Sequence, residues 1–270
     1  MRTIQFELMR PGEFLEEKER FSVAYLPVGP LEWHGPHMPF GTDPLNAQAV
    51  ARGVAARIGG VVFPPLFCGT EEARTPKILN WMGFEDDSQY IVGMDVPSNP
   101  IKSCYFPEEL FGTILRANLI QIISLGFRMV VIVNGHGAAG QLRTGARLAR
   151  EFSNTTKSRV LFCRAMQKLD EADERLGHAN IVETSMQMYV SGGSVRLDML
   201  PPREVPLRTS EWGIADGYLM TGESVNESHT VEHDPRDATA ELGKRYVENG
   251  IERIAREVQK VYGEIKRKEI

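Results

Sequence analysis

The chain has 270 residues, a formal net charge of −5, 42% hydrophobic residues and 25% charged ones. That balance fits a globular enzyme in water and excludes a long disordered region, and the net negative charge argues against a protein that grips a phosphate backbone. Three widely spaced cysteines, Cys68, Cys104 and Cys163, form no CxxC pair. They read as reduced thiols of a cytoplasmic protein, and neither an apolar signal core nor a membrane-length run of roughly 18 apolar residues is expected.

In chain order, Phe21 to Val28 predicts a buried strand, and Pro44 to Ile58 an alanine-rich helix opened by Thr42 or Asp43 as its cap. Val61 to Phe67 reads as a second strand, ended by its prolines. From Gly69 to Phe106 the chain mixes Gly, Pro, Asn and Asp with scattered aromatics, an excursion of a length that usually serves function. A helix over Glu108 to Leu125, closed by Gly126, leads into a β-branched strand over Arg128 to Val133. Then come a helix over Gln141 to Phe152, a strand over Arg159 to Ala165, and a helix over Val182 to Tyr189. A final helix runs from Ala238 to about Lys268. Strands spaced by helices predict a mostly parallel sheet layered between helices, in one α/β domain over residues 1–270.

Ligands of open parallel sheets bind beyond the carboxyl ends of the strands. The first strand runs into Glu32-Trp33-His34-Gly35-Pro36-His37, with Asp43 a short loop later, and extended backbone projects Glu32 and His34 to one side. The strand before Asn134-Gly135-His136-Gly137 ends in another histidine, whose flanking glycines permit a sharp turn. A third cluster holds His178 and, five residues on, Glu183. Glu32, His34, Asp43, His136 and Glu183, with His178 nearby, form a mixed imidazole and carboxylate set suited to zinc, manganese or iron. The set is large enough for two ions if Asp43 bridges them.

A single His or Glu after a strand is more often a cap or a surface group. The concentration of His34, His37, His136 and His178, four of six histidines, in glycine-flanked element ends is what carries the metal reading. His37 is expected to shape its loop, and His229 and His233 to sit in a solvated loop before the last helix. Trp33, Trp81 and Trp212 are expected in the core or in a pocket wall, and Cys104, beside Tyr105 and Phe106, is a candidate pocket residue. Glu71-Glu72 and Glu85-Asp86-Asp87 read as solvated faces. No GxSxG elbow or Walker loop occurs, so serine-nucleophile and phosphate-loop chemistry have no anchor.

These motifs resemble the creatininase (creatinine amidohydrolase) family. The resemblance rests on Leu26 to Gly35 with Gly41-Thr42-Asp43, on the Asn134 to Gly137 turn, on Glu183-Thr184-Ser185, and on Asp234 to Glu241. It implies an α/β-layered subunit assembling as a homo-oligomer, commonly a hexamer, with two divalent ions (Zn, Mn or Fe) per subunit. Glu32, Asp43 and His136 would hold one ion, and Asp43 would bridge to a second held by His34. Creatininase supplies a glutamate just after the Asn-Gly-His turn, where this chain has Ala138 and Ala139, so Glu183 is the expected replacement and a catalytic candidate. His178 would move protons. Where many members carry Asn-His-x-x-Phe-Pro-Gly-Thr, this chain has Ser103-Cys104-Tyr105-Phe106-Pro107-Glu108-Glu109, a changed substrate wall.

The expected activity is opening of a small cyclic substrate at an amide C–N bond by a metal-activated hydroxide. The same centre would suit C–C hydrolysis of a cyclic polyol diketone, 3-dehydro-scyllo-inosose in inositol catabolism. A small-molecule-binding protein that has lost catalysis is the reading of another class. Neither nucleic acid nor membrane is an expected partner.

Overall fold

Strands Val23–Gly29 (β1) and Met129–Asn134 (β4) are buried at every position. Parallel strands covered by helices on both faces have this property, and it explains their unbroken apolar sequences. In the computed structural model, which describes residues 3–87, 91–95, 97, 99, 101–205, 207–209, 229–230 and 233–268, α1 (Pro11–Arg20) precedes β1. Then come α2 (Thr42–Ile58), β2 (Val61–Val62), β3 (Leu66–Phe67), α3 (Pro76–Met82) and α4 (Glu108–Ser124). After β4 follow α5 (Ala139–Thr155), β5 (Arg159–Arg164), α6 (Ile181–Ser191), β6 (Arg208–Thr209), β7 (His229–Thr230) and α7 (Ala240–Lys268).

The main sheet has the order β2-β1-β4-β5, with β3 also pairing β1, and every pairing is parallel. Alternation along the strands sorts the core into two layers. Val23, Tyr25, Val131 and Val133 pack with residues of α2, α6 and α7 on one face. Ala24, Leu26, Val130 and Ile132 pack with α4 and α5 on the other, around Phe111, Leu115, Leu148 and Phe152. This is the expected parallel sheet between helices. Among the described residues, no helix is long and apolar enough to cross a membrane.

Several boundaries differ from the sequence reading. The run Val61 to Phe67 forms two short strands, because Pro64 and Pro65 lack the N–H groups a ladder needs. The helix after β1 starts at Thr42 with Gly41 as its cap residue, so Asp43 lies inside the first turn and its carboxylate is free for other work. The long excursion contains α3, capped by the Thr75 hydroxyl, which accepts from Ile78 N at 3.4 Å. Trp212 and part of the segment around His229 lie outside the described residues.

Two glycines decide how closely α2 approaches the sheet. A Cβ on Gly29, the last residue of β1, would fall 2.8 Å from the Cβ of Asp43, and one on Gly135 would collide with the Asp43 main chain. The start of α2 is thereby wedged against the carboxyl ends of the two central strands. A third glycine lets α7 cross α6: a Cβ on Gly243 would collide with the Ser185 carbonyl. Gly243→Ala is expected to destabilise the protein by about 1–3 kcal/mol through overpacking. Chemical denaturation would measure it, and an unchanged midpoint would contradict this account of the contact.

Candidate metal centre

Five side chains from four places in the fold converge beyond the strand ends. Glu32 and His34 follow β1, Asp43 opens α2, His136 follows β4, and Glu183 lies in the first turn of α6. All five are buried, at 1–7% exposure. His136 Nδ1 lies 3.0 Å from Glu32 Oε2 and 2.9 Å from Asp43 Oδ2. His34 Nε2 lies 3.3 Å from Asp43 Oδ1 and 3.6 Å from Glu183 Oε2. Glu32, Asp43 and His136 form one set of donor atoms lying within 4.8 Å of one another, and His34, Asp43 and Glu183 form a second; Glu32, His34 and His178 meet the same distance alongside them. Asp43 belongs to both of the first two sets, presenting one oxygen to each histidine.

The donors crowd one buried space, each close to an oppositely charged neighbour. His34 Nε2 and Asp43 Oδ2 are buried with no aligned hydrogen bond, although each lies close to an oppositely charged neighbour. Orphaned polar atoms of this kind are costly unless something fills the gap between them. Two divalent cations fit the donor chemistry, with mixed N and O ligands and a carboxylate between them. Two of the donors are held by groups outside the sets, although His136 Nε2 is buried without a hydrogen bond. His34 Nδ1 bonds the Glu32 carbonyl oxygen at 3.0 Å, leaving Nε2 for the centre. The Asn134 side chain donates to the His136 carbonyl and accepts from Gln141 Nε2 at 2.6 Å, which holds the glycine-flanked turn.

His178 and Glu183 are coupled through a short, strained loop. Ala179 has a positive φ of 52°, unusual for a residue with a side chain, and its N–H donates to Glu183 Oε2 at 2.6 Å. The Asn180 side chain caps α6 by accepting from Val182 N at 2.9 Å. His178 Nε2 bonds the Trp33 carbonyl at 2.8 Å, so Nε2 carries the proton and Nδ1 is an acceptor, 3.7 Å from Glu32 Oε1. Upstream, Asp173 pins this loop by accepting from Leu169 N at 2.9 Å and from the Tyr246 hydroxyl of α7 at 2.6 Å.

Electrostatics divide the group into charged donors and a neutral imidazole. Burial opposes the charge on Glu32, yet His136, His178 and His34 together hold its carboxyl well below the usual range. Burial likewise opposes protonation of His34 and His136, but Asp43 and Glu32 outweigh it, taking His34 up to about 10 and His136 well above its ordinary value. Burial pushes Glu183 up to about 7. It pushes His178 down to about 4, so that imidazole is neutral at pH 7. Enclosure of its ring is the main cause of that lowering.

The centre opens into a cavity of about 450 Å³, with Glu32, His136, His178 and Glu183 on its floor. A family model for creatininase, creatinine amidohydrolase, matches residues 7–82 and 103–258. The chain belongs to the creatininase family. It is similar to the mycofactocin precursor peptide peptidase of Mycobacterium tuberculosis, 27% identical over 242 residues that cover 86% of this chain and 84% of that protein. It is also similar to the 3-dehydro-scyllo-inosose hydrolase of Thermotoga maritima, 26% identical over 134 residues, or 50% of this chain and 36% of that protein. The chain thus matches only about a third of the inosose hydrolase. A solved creatinine amidohydrolase has the same fold, with a TM-score of 0.69 at 18% identity, covering 96% of this chain and 98% of that one. Manganese and Zn–Zn forms of creatininase superimpose with TM-scores of 0.68 and 0.65.

Within this creatininase fold, the residues singled out in the sequence sort cleanly. His37 is outside both donor sets; its Nε2 bonds Thr184 Oγ1 at 2.9 Å and its carbonyl accepts from Arg196 N at 2.9 Å, as expected of a loop support. The His233 carbonyl accepts from Ile181 N at 3.0 Å, and the side chain of His229 lies outside the described residues. Cys104 is exposed and does not line the cavity. Glu85, Asp86 and Asp87 are exposed as expected. Glu71 is a correction: it is 7% exposed and lines the cavity with Arg74, 3.6 Å from its carboxylate. Its neighbour Glu72 made the pair look like a solvated run, and only the turn after β3 directs Glu71 inward.

Removing the shared carboxylate should cost both ions. Asp43→Ala is expected to bind no divalent metal tightly, whereas Glu183→Ala keeps one ion per subunit; elemental analysis after desalting would separate these outcomes. Protons compete with the cations for His34 and His136, whose affinity for protons is raised, so metal affinity should rise with pH. The expected change between pH 6 and 8 is about tenfold per pH unit for each proton displaced, read by competition with a chromophoric chelator. A pH-independent affinity would contradict the assignment.

Proposed function

We propose that this creatininase-family hydrolase is a two-metal amidohydrolase that opens a small cyclic substrate at a C–N bond. The observation that carries the reading is Asp43, whose two oxygens face His136 at 2.9 Å and His34 at 3.3 Å, a bridging arrangement. Glu32, Asp43 and His136 would hold one ion and His34, Asp43 and Glu183 the other. Such a pair, of zinc, manganese or iron, supplies a Lewis acid for the carbonyl and a water acidic enough to attack it near neutral pH.

The chain's own groups manage protons and orientation. His178, neutral and tied through Nε2–H to Trp33, presents Nδ1 as the base that takes the proton lost by the attacking water. The water oxygen bonds the carbonyl carbon, the C–N bond breaks, and His178 returns that proton to the departing nitrogen. Glu71 and Arg74 on the cavity wall suit contact with polar groups of the substrate. Met94, Met166 and Leu176 supply its apolar lining.

A linear peptide amide is a second reading, favoured by the match across 86% of this chain to the mycofactocin precursor peptidase. It uses the same C–N chemistry, whereas 3-dehydro-scyllo-inosose would require expulsion of carbon. Assays on creatinine and other lactams, short peptides and keto-inositols would separate the three. Chelation is expected to abolish turnover and Mn²⁺ or Zn²⁺ to restore it. His178→Ala should lower kcat by about 10²–10⁴-fold while both ions stay bound. Turnover that survives chelation would sink the reading, and metal binding with no turnover on any substrate would favour a binding protein.

A further inference from the structure

Tyr105 ends the long excursion, and its phenol donates to Glu32 Oε1 at 2.6 Å. It belongs to neither donor set and does not line the cavity. The excursion brings it there through a connected series of bonds to the Glu32 run. Cys104 N donates to the Leu31 carbonyl at 2.7 Å, forming an isolated antiparallel bridge. Trp33 N donates to Ser103 Oγ at 2.8 Å, and Ser103 Oγ donates in turn to Asp95 Oδ1 at 2.7 Å. Ser103 N donates to Asp95 Oδ2 at 2.8 Å, and Asp95 is fully buried. Main-chain groups on both sides of Glu32 are therefore gripped by the segment that delivers Tyr105. The ring rests against Gly93, where φ is +51° and a Cβ would strike it, and tilts toward His136 with centroids 6.1 Å apart.

The two oxygens of Glu32 have unlike surroundings. Oε2 faces His136 Nδ1 at 3.0 Å and His34 Nε2 at 3.8 Å, on the side of both donor sets. Oε1 takes the phenol at 2.6 Å and has His178 Nδ1 farther off, at 3.7 Å. An unrestrained carboxylate rotates between one-oxygen and two-oxygen contact with a cation. A donor fixed on one oxygen draws off its charge and stops that rotation.

We propose that Tyr105 is a positioning residue which, through its bond to Oε1, makes Glu32 a one-oxygen ligand through Oε2, and that the excursion is the brace that holds it there. Residues 83–102, which include Gly93 and Asp95, fall between the stretches matched by the family model. Gly93 and Asp95 of the brace thus lie outside the matched pattern, whereas Ser103, Cys104 and Tyr105 lie within it. The proposal rests on the two-metal reading.

The test titrates wild type, Tyr105→Phe, Gly93→Ala and the double variant with Zn²⁺ against a chromophoric chelator, and records Co²⁺ absorption spectra. Wild type taking up no ion would overturn the two-metal reading itself. With two ions bound, Tyr105→Phe should weaken the one shared by Glu32, Asp43 and His136 by about 10–100-fold, leave the other unchanged, and alter the Co²⁺ bands of one site. Gly93→Ala, which displaces the ring without touching a donor, should act in the same direction. The double variant should be no weaker than Tyr105→Phe, since both act through one bond. Wild-type affinity and spectrum in Tyr105→Phe would overturn the proposal, as would equal weakening of both ions or additive effects of the two substitutions.

Discussion

The wedge of α2 against two glycines governs the centre. Because Gly29 and Gly135 have no side chains, the first turn of α2 reaches the gap between the ends of β1 and β4, and Asp43 stands between His34 and His136. Asp43 gives each histidine a separate oxygen, at 3.3 and 2.9 Å, whereas Glu32 reaches both with one oxygen, at 3.8 and 3.0 Å. If either glycine carried a Cβ, the helix would retreat, and the donors that remained would be ordinary strand-end residues facing an opening too wide to share a ligand. The parallel register of β1 and β4 then fixes everything else, since it sets the two strand ends level.

Around that wedge the supports come from far apart in the chain. Asp173 and Tyr246 hold the loop ahead of His178, and the Ala179 N–H holds Glu183, so His178 and Glu183 are fixed through one short segment. Asn134 and Gln141 hold His136. The excursion reaches Glu32 from the opposite side. Glu32, His136 and Glu183 therefore each have a support of their own, and Asp43 is fixed by its place in α2, which matters because a misplaced ligand costs far more than its single bond.

Much of this was legible in the sequence. β1 and β4 announced themselves because strands buried on both faces leave uninterrupted apolar runs, and the donors followed because strand ends are where such sheets place ligands. Asp43 was readable as a ligand but also as a cap, since the two roles call for the same residue in the same place; only the helix start at Thr42 separates them. The division of β2 from β3 hung on Pro64 and Pro65, which could equally end one strand. Tyr105 escaped because its role depends on a contact 73 residues away in the chain, and Glu71 because nothing local distinguishes it, buried, from the exposed Glu72 beside it.

The donors also have a thermodynamic consequence. Glu32, His34 and Asp43 lie within twelve residues of one another, but His136 and Glu183 join them only when β1 has paired with β4 and α6 has docked. The unfolded chain holds no comparable site, so cations bind the native state almost alone. Stability then grows with free cation as RT ln(1 + [L]/Kd), about 2.7 kcal/mol at a hundredfold excess over Kd. Cations held by these donors would turn a cluster of buried charges into an anchor, and metal supply would govern how long the protein survives as well as whether it works.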